Sequence, residues 1–452
     1  MLGLCFVLLA LHDLTCPSSS AAQPYSDALL EQLIEQSIAA RPELAASRTL
    51  ARAERERIPQ AGAFPDPVLT FGMQNDGFRS IQIGEMETSF YLIELNQPLP
   101  WPGKRGLRTS VATLAARQVE ARIARVRLSA EADVRRAHLA LVLVRERLAL
   151  LERLAAIWQK SEGIARSRYE AGEGAQSDLL RAQLELNRLR KRRWSLEAEE
   201  QTQTQTLNRL RGRPLDESIE TIAKMREIGV PPVSDLEAAL TEAKAHSPEL
   251  AAARLGVSRT QSQADLARRE RFPDLGVNGG IMPRGDMEPM WRANVSVGLP
   301  LWSYRKQGRA VSESDARATA ETESAEAIEQ ILRLRVAQRR VALATLVSTI
   351  HLYEQGLLVQ SHATAESTLA QYGVGKVTFA SVLDANAGYL SDEEEYLLTI
   401  AEAQQIVIAN AEITLELVGP SDASGATGTS FPAPSGSSGV PSTDSSASTS
   451  SM

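Results

Sequence analysis

Histidines are the residues of this sequence best suited to metal binding or proton transfer, and they are scattered. The chain of 452 residues contains five of them: His12, His138, His246, His351 and His362. His351 and His362 lie eleven residues apart, about three helical turns, so they can share a helix face but cannot bind the same ion. We therefore expect the histidines to be ordinary residues of helix surfaces, and we predict no metal site.

The glycine-rich segments do not form a nucleotide-binding or catalytic motif. The sequence has no Walker loop, no dinucleotide-binding glycine pattern, no G-x-S-x-G and no C-x-x-C. Gly172-Glu173-Gly174 precedes a predicted helix, where backbone amides can bind phosphate. Glu173, however, puts a negative charge there and no lysine follows. The sequence therefore predicts a protein that is not an enzyme and has no cofactor and no catalytic residues.

Two long segments without proline surround the glycine pairs. Residues 104–213 and 301–419 contain no proline, which costs a helix interior roughly 3 kcal/mol. Each is interrupted once by a tyrosine followed by two glycines: Tyr169, Gly172 and Gly174 in the first, and Tyr372, Gly373 and Gly375 in the second. Each segment is therefore predicted to be a long helix, a glycine turn and a helix running back.

The predicted helices carry an apolar seam with alternating steps of three and four residues, which is typical of coiled-coil packing. In the first half the seam comprises Val134, Ala137, Leu141, Val144, Leu148, Leu151, Ala155 and Trp158. In the second half it comprises Leu343, Leu346, Ile350, Tyr353 and Leu357. A plain antiparallel coiled-coil rod would show the same seam.

The two halves are a tandem repeat. The two turn tyrosines are 203 residues apart, and Pro42-Glu43-Leu44 recurs as Pro248-Glu249-Leu250 after 206 residues. We predict a first repeat over 23–213, a connector over 214–232 and a second repeat over 233–419. Each repeat begins with a short amphipathic helix, over 26–40 in the first. The fold class is mainly α with a small β part.

Between the short helix and the long hairpin, each half changes from a period of 3.6 to a period of 2. The predicted strand pairs lie within 66–100 and 273–301, with strands over 68–74, 89–96, 275–282 and 291–299. In the last of these, Trp291, Ala293, Val295, Val297 and Leu299 share one face. Their lengths suit strands of a membrane barrel, and a small soluble sheet is the alternative.

Tryptophans would mark the ends of such strands. Trp101, Trp291 and Trp302 lie where an interfacial aromatic girdle is expected. Four strands cannot close a pore, and open sheet edges are not tolerated in lipid. If the strands enter a membrane, two, three or four chains must therefore share one barrel.

The two ends of the chain differ from its body. Residues 1–22 resemble a secretory signal peptide, although no Lys or Arg precedes the apolar run. Both cysteines, Cys5 and Cys16, lie in this leader, and the sequence before Cys16 departs from a lipidation signal at Asp13. The Ser-, Gly- and Pro-rich tail over 420–452 is expected to be disordered.

Charge gives no sign of nucleic-acid binding, because the net charge is −7. One basic run follows the first glycine turn: Arg188, Arg190, Lys191, Arg192 and Arg193. Glutamates follow it on the same predicted helix, so we expect a solvated, salt-bridged face, with a partner contact as the alternative.

Together these motifs resemble those of the outer-membrane efflux protein family, the TolC-like channels of Gram-negative bacteria. The resemblance covers residues 26–418. It depends on the two Pro-Glu-Leu units, the two tyrosine–glycine turns, and the segment Asn96-Gln97-Pro98-Leu99-Pro100-Trp101-Pro102-Gly103-Lys104-Arg105. The end of that segment is similar to the heavy-metal, CzcC-like branch.

The resemblance implies a homotrimer in outer-membrane lipid, with a twelve-stranded β-barrel joined to a long periplasmic α-helical barrel. It implies a passive exit duct for substrates delivered by an inner-membrane pump of the RND type and a periplasmic adaptor. Similarity to the CzcC-like branch implies heavy-metal cations as these substrates. The turns at Gly172, Gly174, Gly373 and Gly375 would be the tips that dock onto the adaptor.

The resemblance also implies a periplasmic gate. It places an acidic ring at Asp384, while a second family aspartate is replaced here by Ser381; Asp178 would add another acidic layer. A helix N-cap is the alternative for both aspartates; we favour the cap for Asp178 and the gate for Asp384. The alternative for the whole chain is a secreted coiled-coil scaffold without a channel.

Overall fold

The computed structural model describes residues 24–221, 224–229 and 232–416. The predicted signal peptide and the predicted tail lie outside this part of the chain. The described residues are mainly helical with one four-stranded antiparallel sheet, which confirms the predicted fold class. Within this part of the chain, no helix combines the length and the apolar character that a membrane crossing requires.

The first half contains four helices and two strands. Their bounds are α1 Ala28–Ala40, α2 Pro42–Gly62, β1 Val68–Gln74, β2 Phe90–Leu99, α3 Lys104–Glu170 and α4 Gln176–Leu210. Asp27 caps α1, because its Oδ1 accepts a 2.6 Å hydrogen bond from the Leu30 amide. Pro42 occupies the first turn of α2, where no amide donor is needed.

The second half repeats this order. Its elements are α5 Leu236–His246, α6 Pro248–Arg269, β3 Leu275–Arg284, β4 Met287–Val297, α7 Gln307–Leu352, α8 Leu358–Gly373 and α9 Phe379–Glu412. Pro248 begins α6 as Pro42 begins α2, and Ser247 caps it through the Leu250 amide. Between the halves, a short 3₁₀ helix, Met225–Glu227, packs Met225 into the core.

The sheet has the strand order β1-β2-β3-β4, and all its pairs are antiparallel. β3 and β4 are joined by a tight turn in which Gly285 has φ +64°. Because the turn is so short, β4 begins at Met287, four residues before the predicted start. Trp291 therefore lies inside β4, and the prediction that it marks a strand end is wrong.

The long helices pack in a row. α4 packs along α3, α3 contacts α9, and α9 packs along α7 and α8. Every residue of the predicted seam on α3 is buried or half-buried. The seam packs against the returning helices: Leu151 and Trp158 of α3 share one apolar cluster with Leu189 of α4 and Phe379 of α9.

The second long helix departs from a regular α-helix. Between α7 and α8, residues Tyr353–Leu357 form a π-helical turn that includes Gly356. Two crossed hydrogen bonds to α9 flank this turn. The Tyr353 hydroxyl donates to Glu395 Oε2 at 2.8 Å, and the Tyr396 hydroxyl of α9 donates to Glu354 Oε1 at 2.9 Å. The seam does not reveal this turn, because its spacing of three and four residues continues through Ile350, Tyr353 and Leu357.

His138 corrects the expectation that the histidines lie on helix surfaces. It is 2% exposed on α3, and its Nε2 has no hydrogen-bond partner among the described residues. Burial lowers the pKa of the imidazole below its usual value of 6.5. The neutral ring packs as a core residue because it follows Val134 by four positions and precedes Leu141 by three, on the buried face.

Candidate functional site

One face of the sheet is apolar and exposed. Cross-strand partners share a face, and the register puts the following residues on this one: Leu69, Phe71, Met73, Tyr91, Ile93, Leu95, Gln97, Leu99, Leu275, Val277, Gly279, Ile281, Trp291, Ala293, Val295 and Val297. Gln97 is the one amide side chain among them, and the others are aliphatic, aromatic, Met or Gly. Trp291 is 78% exposed, so nothing within the described chain covers this face. An exposed apolar surface of this extent marks a contact with lipid or with another protein.

The opposite face is polar over its middle. There the register places Thr70, Glu94, Asn96, Asn278, Arg292, Asn294 and Ser296. Arg292 of β4 forms an ion pair with Glu94 of β2. The sheet is therefore apolar on one side and charged on the other. Strands that face lipid on one side and water on the other show this alternation.

Both edges of the sheet are unpaired. β1 pairs only with β2 and β4 pairs only with β3 within the described residues. Each edge therefore presents a row of backbone amides and carbonyls without partners, which is not tolerated in contact with lipid.

The two glycine turns lie side by side at the far end of the long helices. Gly172 has φ +75° and Gly375 has φ +73°, the left-handed conformation that side chains strain. Gly174 is required for close approach, because a Cβ there would lie 3.0 Å from the Arg168 Cβ. A Cβ on Gly373 would meet nothing within 4 Å, so packing does not require a glycine there.

Arg168, at the end of α3, ties the two turns together. Its guanidinium donates to the Tyr372 carbonyl of the second turn, and to the Glu173 carbonyl of its own turn at 3.3 Å. The guanidinium carbon also lies 5.0 Å from the centre of the Tyr372 ring. A single cation therefore fixes the distance between the two hairpin tips.

Tyr372 and Asp178 make a second tie between the hairpins. The Tyr372 hydroxyl donates to Asp178 Oδ2 at 3.2 Å. Burial raises the pKa of the Tyr372 phenol to about 12, and the adjacent Asp178 carboxylate adds to this rise, so the phenol remains a donor at neutral pH. Asp178 is not the N-cap of α4, which is Ala175; it is the third residue of the helix. The capping interpretation of Asp178 is therefore wrong.

Asp384 is the sixth residue of α9 and is exposed. It forms no ion pair within the described part of the chain, and the N-cap of α9 is Thr378. Ser381 is half-buried in the first turn, with its Oγ 3.3 Å from the Thr378 Oγ1. Ser381 follows Tyr372 by nine residues, as Asp178 follows Tyr169, so the two occupy equivalent positions in the repeat.

Sequence reasoning missed Arg168. Its one signal is a break in the repeat: Arg168 precedes Tyr169, whereas Gln371 precedes Tyr372. The two tyrosines differ accordingly, since Tyr372 is 3% exposed and Tyr169 is 43% exposed. The first turn therefore supplies the cation, Arg168, and the second turn supplies the buried ring, Tyr372.

The Outer membrane efflux protein family model matches residues 33–213 and 239–414, which is most of both repeats. The chain is 23% identical over 352 residues to the cobalt-zinc-cadmium resistance protein CzcC of Cupriavidus metallidurans, covering 77% of this chain and 80% of that protein.

Solved channel structures have the same fold. The outer-membrane channel OprN matches with a TM-score of 0.73 at 19% identity, over 87% of this chain and 95% of its own. CusC, described through its folding and transmembrane channel formation, matches with a TM-score of 0.74 at 15% identity, over 86% and 93%. With its two repeats, its amphipathic sheet and its paired helical hairpins, this chain belongs to the outer membrane efflux protein family.

Proposed function

We propose that this chain is the outer-membrane exit duct of a tripartite efflux system. The observation that carries the proposal is the sheet: one face is apolar and uncovered, the other is polar, and both edges are unpaired. A membrane-embedded barrel made from several copies uses all three features at once. Lipid covers the apolar face, water fills the side of Arg292 and Glu94, and each edge pairs with a neighbour.

Three copies form the barrel. Each contributes four strands, which gives twelve, an even number within the range of membrane barrels. Family membership supports a homotrimer over the dimer and tetramer that strand arithmetic also allows. The strands of 7–11 residues are close to the length that crosses a bilayer when tilted.

The helices continue the duct away from the membrane. α3 has 67 residues, about 100 Å at 1.5 Å per residue, and this length suits a long periplasmic extension. The tips at Gly172, Gly174, Gly373 and Gly375 dock onto a periplasmic adaptor and an inner-membrane pump, of the RND type. The pump supplies the energy and the duct is passive.

The tip also carries the gate. Asp384 is exposed close to the second turn, and three symmetry-related copies would form an acidic ring that attracts cations. Asp178 adds a second acidic position, whereas its repeat equivalent Ser381 does not. Cations of heavy metals are the proposed cargo, since CzcC is named for cobalt, zinc and cadmium resistance.

Membrane fractionation tests this proposal. The full-length protein should be found in outer-membrane fractions, run as a heat-sensitive trimer in detergent, and conduct ions in planar bilayers. A monomer that is extracted without detergent and forms no conductance would contradict the proposal and support a secreted coiled-coil scaffold instead.

A further inference from the structure

α5 and α6 pack on the first part of α7. Beyond them, residues 341–373 of the α7–α8 helix form one outer edge of the helical row, and α4 forms the other. α4 packs along α3 and α8 packs along α9, with α3 and α9 in contact between them. Both edge helices nevertheless expose large apolar side chains. On α4 the largest is Trp194, which is 68% exposed, and on the other edge Leu352 and Val359 are exposed. The two edges are therefore unpartnered helix faces within one chain.

The α7–α8 edge contains a notch at the π-helical turn. Leu352, Gly356 and Val359 follow one another at spacings of four and three residues, so they share a face. Gly356 lies between the two apolar side chains, and a Cβ there would meet nothing within 4 Å. This arrangement is a hole with apolar walls, of the kind that receives a large side chain from a neighbouring helix.

Trp194 and this notch lie at the same height above the tips. Arg168 and Tyr372 hold the two glycine turns level. From there, Trp194 lies 20 residues after Gly174 and Gly356 lies 19 residues before Gly375, about 30 Å along a helix in each case. Copies in a closed ring are related by rotation about the ring axis, without translation along it. Residues at equal height along that axis therefore meet across each interface.

The charges of the two edges are complementary. The α7–α8 edge over 341–373 contains Glu354 and Glu366 but no Lys or Arg. Glu354 accepts the Tyr396 hydroxyl of its own chain and is still 46% exposed. The α4 edge carries the basic run that surrounds the height of the notch: Arg188, Arg190, Lys191, Arg192 and Arg193.

The structure confirms the salt-bridged face for part of this run. Arg188 pairs with Glu185 at 2.5 Å, Arg193 pairs with Glu197 at 2.8 Å, and Arg192 reaches Glu394 of α9. Arg190 and Lys191 form no ion pair among the described residues. Arg190 donates to Asn187 Oδ1 at 3.1 Å, so neither cation has a carboxylate partner within the described chain and both can attract an acidic neighbour.

We infer that Trp194 of one copy inserts beside Gly356 of the next copy, between its Leu352 and Val359. The basic run of α4 then faces the acidic α7–α8 edge, and this contact fixes the vertical register of the helical barrel. The inference rests on the proposed channel function, because it takes a second copy of this chain as the occupant.

A disulfide between copies tests the contact. In a background with Cys5 and Cys16 replaced by serine, the double variant Trp194→Cys with Gly356→Cys should give covalent dimers and trimers on non-reducing gels. Each single variant should give none, because like positions are far apart around the ring. The matched control is Trp194→Cys with Val341→Cys, an exposed position on the same edge but about 22 Å away along the helix.

Native gels of the same samples separate the outcomes. If the trimer forms but the 194–356 pair cross-links no better than the 194–341 pair, or cross-links only to a different protein, the contact is wrong and the channel proposal survives. If no trimer forms even without the cysteines, both fail. Trp194→Ala should also lower the temperature at which the trimer dissociates. Trp194→Phe should dissociate at a temperature close to that of the wild type.

Discussion

Replacing Tyr372 with phenylalanine removes one defined tie between the two hairpin tips. The ring remains to pack against Phe379, 5.2 Å away between centroids, and to lie under Arg168. Only the 3.2 Å hydrogen bond to Asp178 is lost. Hydrogen bonds to charged groups contribute about 1.5–3 kcal/mol. Because Asp178 is half-buried and water can replace the phenol, we expect the loss of stability to lie at the low end of this range.

A loss of about 1.5 kcal/mol corresponds to a tenfold change in the equilibrium for local opening of the tips. Native-state hydrogen exchange measures this equilibrium directly, and amides at the two turns should exchange about tenfold faster in Tyr372→Phe. The repeat supplies the control: Tyr169→Phe changes the equivalent tyrosine, which is exposed. Equal exchange rates in the two variants would refute the tie.

The same tie has a predictable dependence on pH. The folded-state pKa of Tyr372 is raised from 10 to about 12. The contribution of the phenol to the stability of the closed tips is therefore complete below pH 10 and is lost as the pH rises through about 12. The difference in exchange between wild type and Tyr372→Phe should therefore disappear above that pH. A difference that persists there would show that the phenol–carboxylate bond is not its cause.

Three further predictions concern other parts of the molecule. Asp384→Asn should lower the cation selectivity of single channels in planar bilayers without loss of the trimer; unchanged selectivity would remove Asp384 from the gate. Gly172→Trp combined with Gly375→Trp should leave the trimer intact and abolish export by cells, and retained export would count against docking at the tips. His138 has a lowered folded-state pKa, so its contribution to stability is complete above pH 6.5 and is lost as the pH falls through the folded value. His138→Leu should therefore flatten the dependence of the thermal unfolding temperature on pH below 6.5, and an unchanged slope would contradict this.

The sequence pattern predicts the elements well where one physical signal dominates. β1 spans Val68–Gln74 as predicted. The prolines before it mark its start, and apolar residues alternate along it. α3 runs without interruption from Lys104 to Glu170 because no proline or glycine pair breaks it. The heptad seam identifies the buried face, since coiled-coil packing repeats the same contact along the helix.

The errors arise where a contact distant in sequence decides. The start of β4 depends on its pairing with β3, which carries both strands up to Gly285. His138 is an exception: its residue type predicts a surface position, but its local spacing from Val134 and Leu141 places it on the buried face. The tie from Arg168 to Tyr372 joins residues 204 apart, and neither residue type nor spacing indicates such a pair.

The central claim is that the sheet lies in a membrane, with its apolar face toward lipid. Ala293 and Asn294 are adjacent near the middle of β4, and the register places them on opposite faces: Ala293 opposes Gly279, and Asn294 opposes Asn278. An arginine on the lipid face costs about 2–4 kcal/mol near the midplane. In a trimer this cost is incurred three times.

The most direct measurement is the amount of heat-sensitive trimer in the outer membrane for Ala293→Arg compared with Asn294→Arg. The two variants carry the same new side chain one residue apart, so the added charge and the added side chain are matched. We predict that Ala293→Arg strongly reduces membrane-inserted trimer while Asn294→Arg remains close to wild type. Equal amounts of trimer in the two variants, or the opposite order, would contradict a membrane-embedded sheet with this orientation.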